Sequence, residues 1–248
     1  MIRLIIPAFN EGGPLESLLP RLPTELSGHP TMALVVSDGS TDNTVEVARA
    51  AGVEVLALEA NRGKGAAVRA ALASIEELEH DIVVLMDADG QHDPDDLADL
   101  VAPLLADDAD IAVGSRYAGD ERRGTTPLNR YAVRWTTVAL LERMLGTRFT
   151  DPYCGFRAFK TASLEVVEFC GSRYEGELEV LFDACRCGLR VAEVPVKKIY
   201  GQGTSKMSAD GGRLLGRFRV IRQYAVTVIR KRRELRSSAE SANRISAG

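Results

Sequence analysis

Short apolar runs that alternate with helical patterns constrain this chain most. RLIIPAF (3–9), MALVVSDGS (32–40), VEVLAL (53–58), DIVVLMDAD (81–89) and DIAVGSR (110–116) read as strands. Between them, GPLESLLPRLPTEL, STDNTVEVARAAG, GKGAAVRAALASIEEL and DPDDLADLVAPLLAD read as helices, the first interrupted by Pro20 and Pro23. Strands that are apolar throughout, in βαβα order, predict a parallel sheet covered by helices on both faces. In such a sheet ligands bind beyond the carboxyl ends of the strands. The polar residues fall there: Asn10 and Glu11, Asp38, Asp87 and Asp89, and Arg116.

The second half is less regular. NRYAVRWTTVALLERMLG (129–146) predicts an amphipathic helix, DPYCGFRAFK a loop entering a strand, GELEVLFDACRCG a helix ending at Gly188, and VAEVPVKKIY a further strand. The body is expected over residues 1–211. A basic amphipathic helix is expected over 212–236 and a disordered Ser/Ala-rich tail over 237–248.

The chain has 248 residues, 45% hydrophobic and 27% charged, an ordinary globular composition. Its net charge of −4 conceals an asymmetry: residues 1–211 hold 21 basic and 33 acidic residues, a balance of −12, whereas 212–248 hold ten basic and two acidic, a balance of +8. Leu214, Leu215, Phe218, Ile221, Ala225, Val228 and Ile229 recur at helical spacing among the arginines. That pattern suits a helix lying on an anionic membrane, and equally a helix packed on the body with a solvated basic face. The acidic body and the lack of interleaved aromatics disfavour nucleic acid. No apolar run approaches the ~20 residues of a membrane span. The opening MIRLIIPAF reads as a strand and not as a secretory signal, so a cytoplasmic protein, peripheral at the inner membrane face, is expected. Cys154, Cys170, Cys185 and Cys187 lack paired C-x-x-C spacing and are expected to be buried free thiols.

Asp87 and Asp89 place like charges one residue apart at a strand end, which is unfavourable unless something positive lies near them. A divalent cation meets that need, because Mg²⁺ is held by one or two carboxylates with substrate phosphates and water. Gln91 adds a neutral oxygen. The same spacing also occurs in solvated Asp-rich loops. NRGKGAA (61–67) sets Lys64 between two glycines at a helix start, suited to an anion, although a plain glycine-capped turn would look alike. Neither a Walker pattern nor G-x-G-x-x-G is present.

Read together, PAFNE, SDGSTDNT, NRGKG, DADGQ and GSR, with DPYCGFRAFK and EVPV…GTSK further on, resemble the family 2 inverting glycosyltransferases of the GT-A fold. Within that family they are similar to the dolichol-phosphate mannose synthase branch and its bacterial polyprenyl-phosphate relatives, from Ile2 to about Met207. The resemblance implies an α/β, Rossmann-like fold and transfer of a hexose from GDP-mannose- or UDP-glucose-type donors to a polyprenyl phosphate. It implies that Pro7, Phe9, Glu11 and Asp38 line the nucleoside, with Lys64 nearby. Asp87, Asp89 and Gln91 would hold Mg²⁺ or Mn²⁺. Arg116 and Arg130 would hold the acceptor phosphate. Arg157 and Lys206 would lie near the donor diphosphate. Ser37 stands where the family usually has an acid, Phe9 where it usually has tyrosine, and no Q-x-x-R-W of processive synthases follows. The alternative is a soluble family 2 enzyme with a hydroxyl acceptor, for which Glu177, Glu179 or Asp151 would be the base.

Overall fold

A computed structural model describes residues 1–75, 82–118, 138–139, 142–143, 146–169, 175–197 and 199. Met1–Gly201 form one compact unit. The expected C-terminal helix and tail, with Arg130, Cys170 and Lys206, lie outside the described residues.

Eight strands form one sheet: β1 (Ile2–Ala8), β2 (Glu25–Leu26), β3 (His29–Asp38), β4 (Glu54–Leu58), β5 (Ile82–Leu85), β6 (Ile111–Ser115), β7 (Arg157–Lys160) and β8 (Val191–Pro195). The order β4-β3-β1-β5-β7-β6-β8 places β1 near the middle, and β2 is a short antiparallel addition to the start of β3. Ile2 through Ile6 are all buried, and so are Leu34 through Asp38. Successive side chains of a strand point to opposite faces, so consecutive burial means both faces are covered. Among the described residues, helices α1 (Gly12–Leu18), α2 (Thr44–Ala50), α3 (Lys64–Ser74), α4 (Leu97–Leu105) and α5 (Glu175–Arg186) flank the strands. Helix α3 packs on β1 and β3, and α4 on β6 and β7.

The sheet is mainly parallel, as expected, and β7 runs antiparallel between β5 and β6. The short RAFK pattern of β7 cannot reveal direction; only its pairing can, with Arg157 opposite Leu85 and Val113. Two other expectations need correction. The first helix stops at Leu18 and tightens into a 3-10 turn over Leu19–Arg21, because Pro20 offers no N–H to continue the ladder. The described cysteines are free but not uniformly buried: Cys154 is buried, Cys185 half-buried and Cys187 exposed.

The reversal of β7 has a consequence for the ligand edge. Its first residue, Arg157, joins the last residues of β1, β3, β5, β6 and β8 there, so the loop before β7 crowds the end of β5. Gly39, just after β3, fixes another close approach. It has φ +69°, and a Cβ there would stand 2.5 Å from the Ala60 carbonyl carbon and the Asn61 nitrogen. Gly52 has a similar φ of +73° with nothing within 4 Å. Gly52→Ala should therefore cost only the left-handed backbone penalty, about 1 kcal/mol, and Gly39→Ala about 3 kcal/mol or more, because backbone cannot move aside. Denaturant midpoints of the two variants check the difference.

Candidate active site

The loops after β1 and β3 are tied together. The Asn10 N–H donates to Ser40 Oγ (3.1 Å), Thr41 N–H to Asn10 Oδ1 (2.8 Å), Glu11 N–H to Thr44 Oγ1 (2.9 Å) and Gly12 N–H to Asp42 Oδ2 (3.1 Å). Pro7, Phe9 and Glu11, all partly exposed, lie at the end of β1 and in the loop that follows it. Asp38 is buried. Its carboxylate is 3% exposed and accepts the backbone N–H groups of Arg62 (2.9 Å) and Gly63 (2.8 Å). Asp38 thus builds the turn that delivers Lys64.

Lys64 opens α3 and supplies a positive charge at the acidic strand end. Its Nζ lies 2.5 Å from Asp87 Oδ1 and 3.0 Å from Glu177 Oε1, so one ammonium joins the end of β5 to the first turn of α5. Burial disfavours a charged lysine, yet the two carboxylates outweigh it and raise its pKa. Burial likewise opposes charge on Asp87, and Lys64 overrides it to hold that carboxyl below its ordinary value. The pairing has a steric condition. A Cβ on Gly155 would stand 2.6 Å from both Asp87 Oδ2 and Lys64 Nζ.

Asp89 is treated oppositely. Burial and then the charge of Asp87 push it up to about 6, with Glu11 adding to the effect. Its Oδ1 accepts the Gln91 N–H (3.0 Å). Here is a corner of hard oxygen atoms whose own lysine is taken up by Asp87 and Glu177. Among the described residues no group of three or more His, Cys, Asp or Glu side chains forms a metal cage. One or two carboxylates short of positive charge, without a full cage, fit a divalent ion that draws its other ligands from substrate phosphate.

His92 was not anticipated. Buried at 7% exposure, it stacks on Phe156 (4.9 Å between centroids), and its Nδ1 accepts the backbone N–H of Asp87 (3.1 Å). Burial pulls its pKa down to about 4, which keeps the ring neutral and Nδ1 able to accept. A lone histidine between acids was the sequence signal, but it names no partner.

Arg116 follows β6 and pairs side-on with Asp151: Nε to Oδ2 at 2.6 Å and Nη2 to Oδ1 at 3.0 Å. Arg157 is 1% exposed, and its guanidinium donates to the carbonyls of Cys154 (2.9 Å), Glu177 (2.7 Å) and Pro152 (2.9 Å). It braces the loop before β7 and the start of α5. The described residues therefore bring Glu11, Lys64, Asp87, Asp89, Gln91 and Arg116 to one sheet edge, with Asp38 and Arg157 as supports.

The model of the family described as glycosyl transferase family 2 matches residues 4–167. The chain belongs to family 2 of the glycosyltransferases. Among its relatives is the UDP-N-acetylglucosamine–dolichyl-phosphate N-acetylglucosaminyltransferase of Methanococcus voltae, 33% identical over 81% of this chain and 86% of that one. Another is the undecaprenyl-phosphate mannosyltransferase of Micrococcus luteus, 32% identical over 82% of this chain and 86% of that one. In structure it is similar to glucosyl-3-phosphoglycerate synthase of Mycobacterium tuberculosis, crystallised with Mn²⁺, UDP and phosphoglyceric acid. The TM-score is 0.72 at 25% identity, covering 93% of this chain and 78% of that one. The glycosyltransferase has the GT-A fold, with a mixed, mostly parallel sheet.

Gly155→Ala tests the Lys64 arrangement. The atoms it would meet end flexible side chains and can yield, so stability should fall by only about 1 kcal/mol. Lys64 and Asp87 would be driven apart, and Mn²⁺-dependent binding of UDP or GDP should weaken about tenfold, a loss of one charge-assisted contact. Calorimetric titration alongside denaturant unfolding separates the two effects.

Proposed function

We propose that this glycosyltransferase transfers a hexose or N-acetylhexosamine, with inversion, from a nucleotide sugar to the phosphate of a polyprenyl or dolichyl phosphate. The observation that carries the reading is the engagement of the carboxylates expected as bases. A hydroxyl acceptor needs a general base in reach of its proton. Asp151 is 1% exposed and has both oxygens on Arg116. Glu177 spends Oε1 on Lys64, its Oε2 is buried, and Glu179 is 2% exposed. A phosphate monoester, with a second pKa near ~6, is already dianionic near neutrality and needs cations to hold it, not a base. Arg116, whose other guanidinium edge pairs with nothing among the described residues, suits that task. The names of the dolichyl- and undecaprenyl-phosphate relatives point the same way. The structural neighbour crystallised with phosphoglyceric acid keeps a hydroxyl acceptor as the alternative.

On the donor side, the junction of the loops after β1 and β3 would receive the nucleoside, and Lys64 at the start of α3 would face the diphosphate. Asp87 and Asp89, beside Gln91, would hold Mg²⁺ or Mn²⁺. When bound, the ion would offset charge developing on the leaving diphosphate. Lys64 holds Asp87 ionised and aimed, and His92 holds the backbone from which both aspartates project. Arg130 and Lys206 keep the roles the family resemblance implies, on the acceptor phosphate and over the diphosphate.

No helix among the described residues is long and apolar enough to cross a membrane. Access to a lipid-borne acceptor is assigned to the basic segment 212–236. Co-sedimentation with anionic liposomes should fall when residues 212–248 are deleted, and equal sedimentation of both forms would reject that assignment.

Nucleotide release from UDP- and GDP-sugars, with and without undecaprenyl phosphate, tests the reaction. EDTA should abolish release and Mn²⁺ restore it. Asp89→Asn should lower metal-dependent nucleotide binding and reduce turnover by a hundredfold or so, the scale expected for one lost charge-stabilising group, while the variant stays folded. Full turnover in EDTA would remove the metal from the account.

A further inference from the structure

Arg116 lies at the end of a three-member chain whose other members have no assigned part in the reaction. An arginine at a strand end has a long side chain with much rotamer freedom to lose. Here that freedom is removed. Asp151 accepts from the Arg116 backbone N–H (3.2 Å), Nε (2.6 Å) and Nη2 (3.0 Å). A carboxylate buried to 1% exposure is costly unless fully bonded, and this one spends its capacity on a single arginine. The bond is side-on, through Nε and Nη2. The Nη1 edge and the second Nη2 proton are turned away from Asp151, and the side chain keeps 27% of its exposure. The free edge is a planar fork of the kind that matches two phosphate oxygens.

Asp151 is itself held. Glu193, on β8 and in register with Val113 of β6, accepts the N–H groups of Thr150 (2.8 Å) and Asp151 (2.9 Å) and the Thr150 hydroxyl (3.0 Å). Glu193 makes no ion pair with Arg116; its carboxylate organises the 150–151 turn. Thr150 Oγ1 is also 2.6 Å from Ser115 Oγ, which accepts the Tyr117 N–H (3.2 Å). The residues on either side of Arg116 are thus fastened to the same turn that carries Asp151. Arg116 follows β6 at the same edge of the sheet as the end of β5, so the chain ends on the side of the proposed reaction centre.

We propose that Glu193 and Asp151 are positioning residues for the acceptor, acting through Arg116: Glu193 fixes the turn, Asp151 fixes one edge of the guanidinium, and the other edge is thereby aimed at the acceptor's phosphate. This rests on the phosphate-acceptor reading above. Asp151, one of the residues expected from sequence as a base, takes a different role here because both its oxygens are bound to Arg116. A purely structural buried ion pair would affect stability without distinguishing acceptor from donor.

The test uses the full chain, with undecaprenyl phosphate as acceptor and UDP-N-acetylglucosamine or GDP-mannose as donor, whichever the wild-type protein uses. Glu193→Gln places an amide among N–H donors and should raise the KM for undecaprenyl phosphate about tenfold, the scale of one displaced charge-assisted bond. The affinity for UDP or GDP with Mn²⁺ should stay within about twofold. In an Arg116→Ala background, Glu193→Gln should add no further loss, because its effect runs through the missing guanidinium. Thr150→Val, which removes only the hydroxyl link, should shift the same KM in the same direction and carries the test if Glu193→Gln fails to fold. An unchanged acceptor KM, equal losses for donor and acceptor, or additive losses with Arg116→Ala would overturn the positioning chain while leaving the phosphate acceptor standing. A wild-type protein inert toward undecaprenyl phosphate would overturn both, and that is visible before any variant is made.

Discussion

One ammonium group, that of Lys64, makes the site possible. Without it, the end of β5 and the first turn of α5 would bring Asp87 and Glu177 together as uncompensated charges in a partly buried place. Other features serve its placement. Asp38 gives both oxygens to the turn at Arg62 and Gly63, so the lysine starts α3 at a fixed height. Residue 155 is glycine because any side chain would occupy the space of the ion pair. Arg157 ties the preceding loop to the start of α5. Since Lys64 satisfies Asp87 and Glu177, Asp89 is left in an acidic surrounding that a divalent ion would relieve.

The acceptor side follows the same logic with the signs exchanged. There the cation is the group to be presented, and the carboxylates are its supports. Arg116 is fixed along one edge by Asp151, and Asp151 by the turn that Glu193 organises. On one side half-buried Lys64 orients Asp87, and on the other buried Asp151 orients half-buried Arg116. Under the proposed function, the acids expected as bases are engaged elsewhere, which favours a nucleophile that arrives already ionised.

The strand ends were legible in the sequence because they depend on local pattern. Apolar runs that stop at Asn10, Asp38, Asp87 and Arg116 mark the ligand edge, and the family motifs give the fold. What the pattern could not show was which charge answers which. Lys64 and Glu177 are 113 residues apart, and Asp151 and Glu193 are 42 apart. Asp38 and Arg157 sit in motifs near the site, and only their hydrogen-bond partners reveal that they support it. The antiparallel course of β7 escaped for the same reason: a strand of only four residues reads alike in either direction. His92 was visible as a residue but not as the acceptor of the Asp87 N–H, since that depends on its stack with Phe156, 64 positions along.

The central claim is that the nucleophile is a phosphate held by cations and not a hydroxyl served by a base. The most direct measurement offers the full-length protein three acceptors in parallel, undecaprenyl phosphate, undecaprenol and 3-phosphoglycerate, with UDP- and GDP-sugars and Mn²⁺, and identifies the products by mass. The account predicts a glycosyl phosphodiester from undecaprenyl phosphate and no product from the other two. A glycosylated undecaprenol or phosphoglycerate, with undecaprenyl phosphate left unmodified, would contradict it.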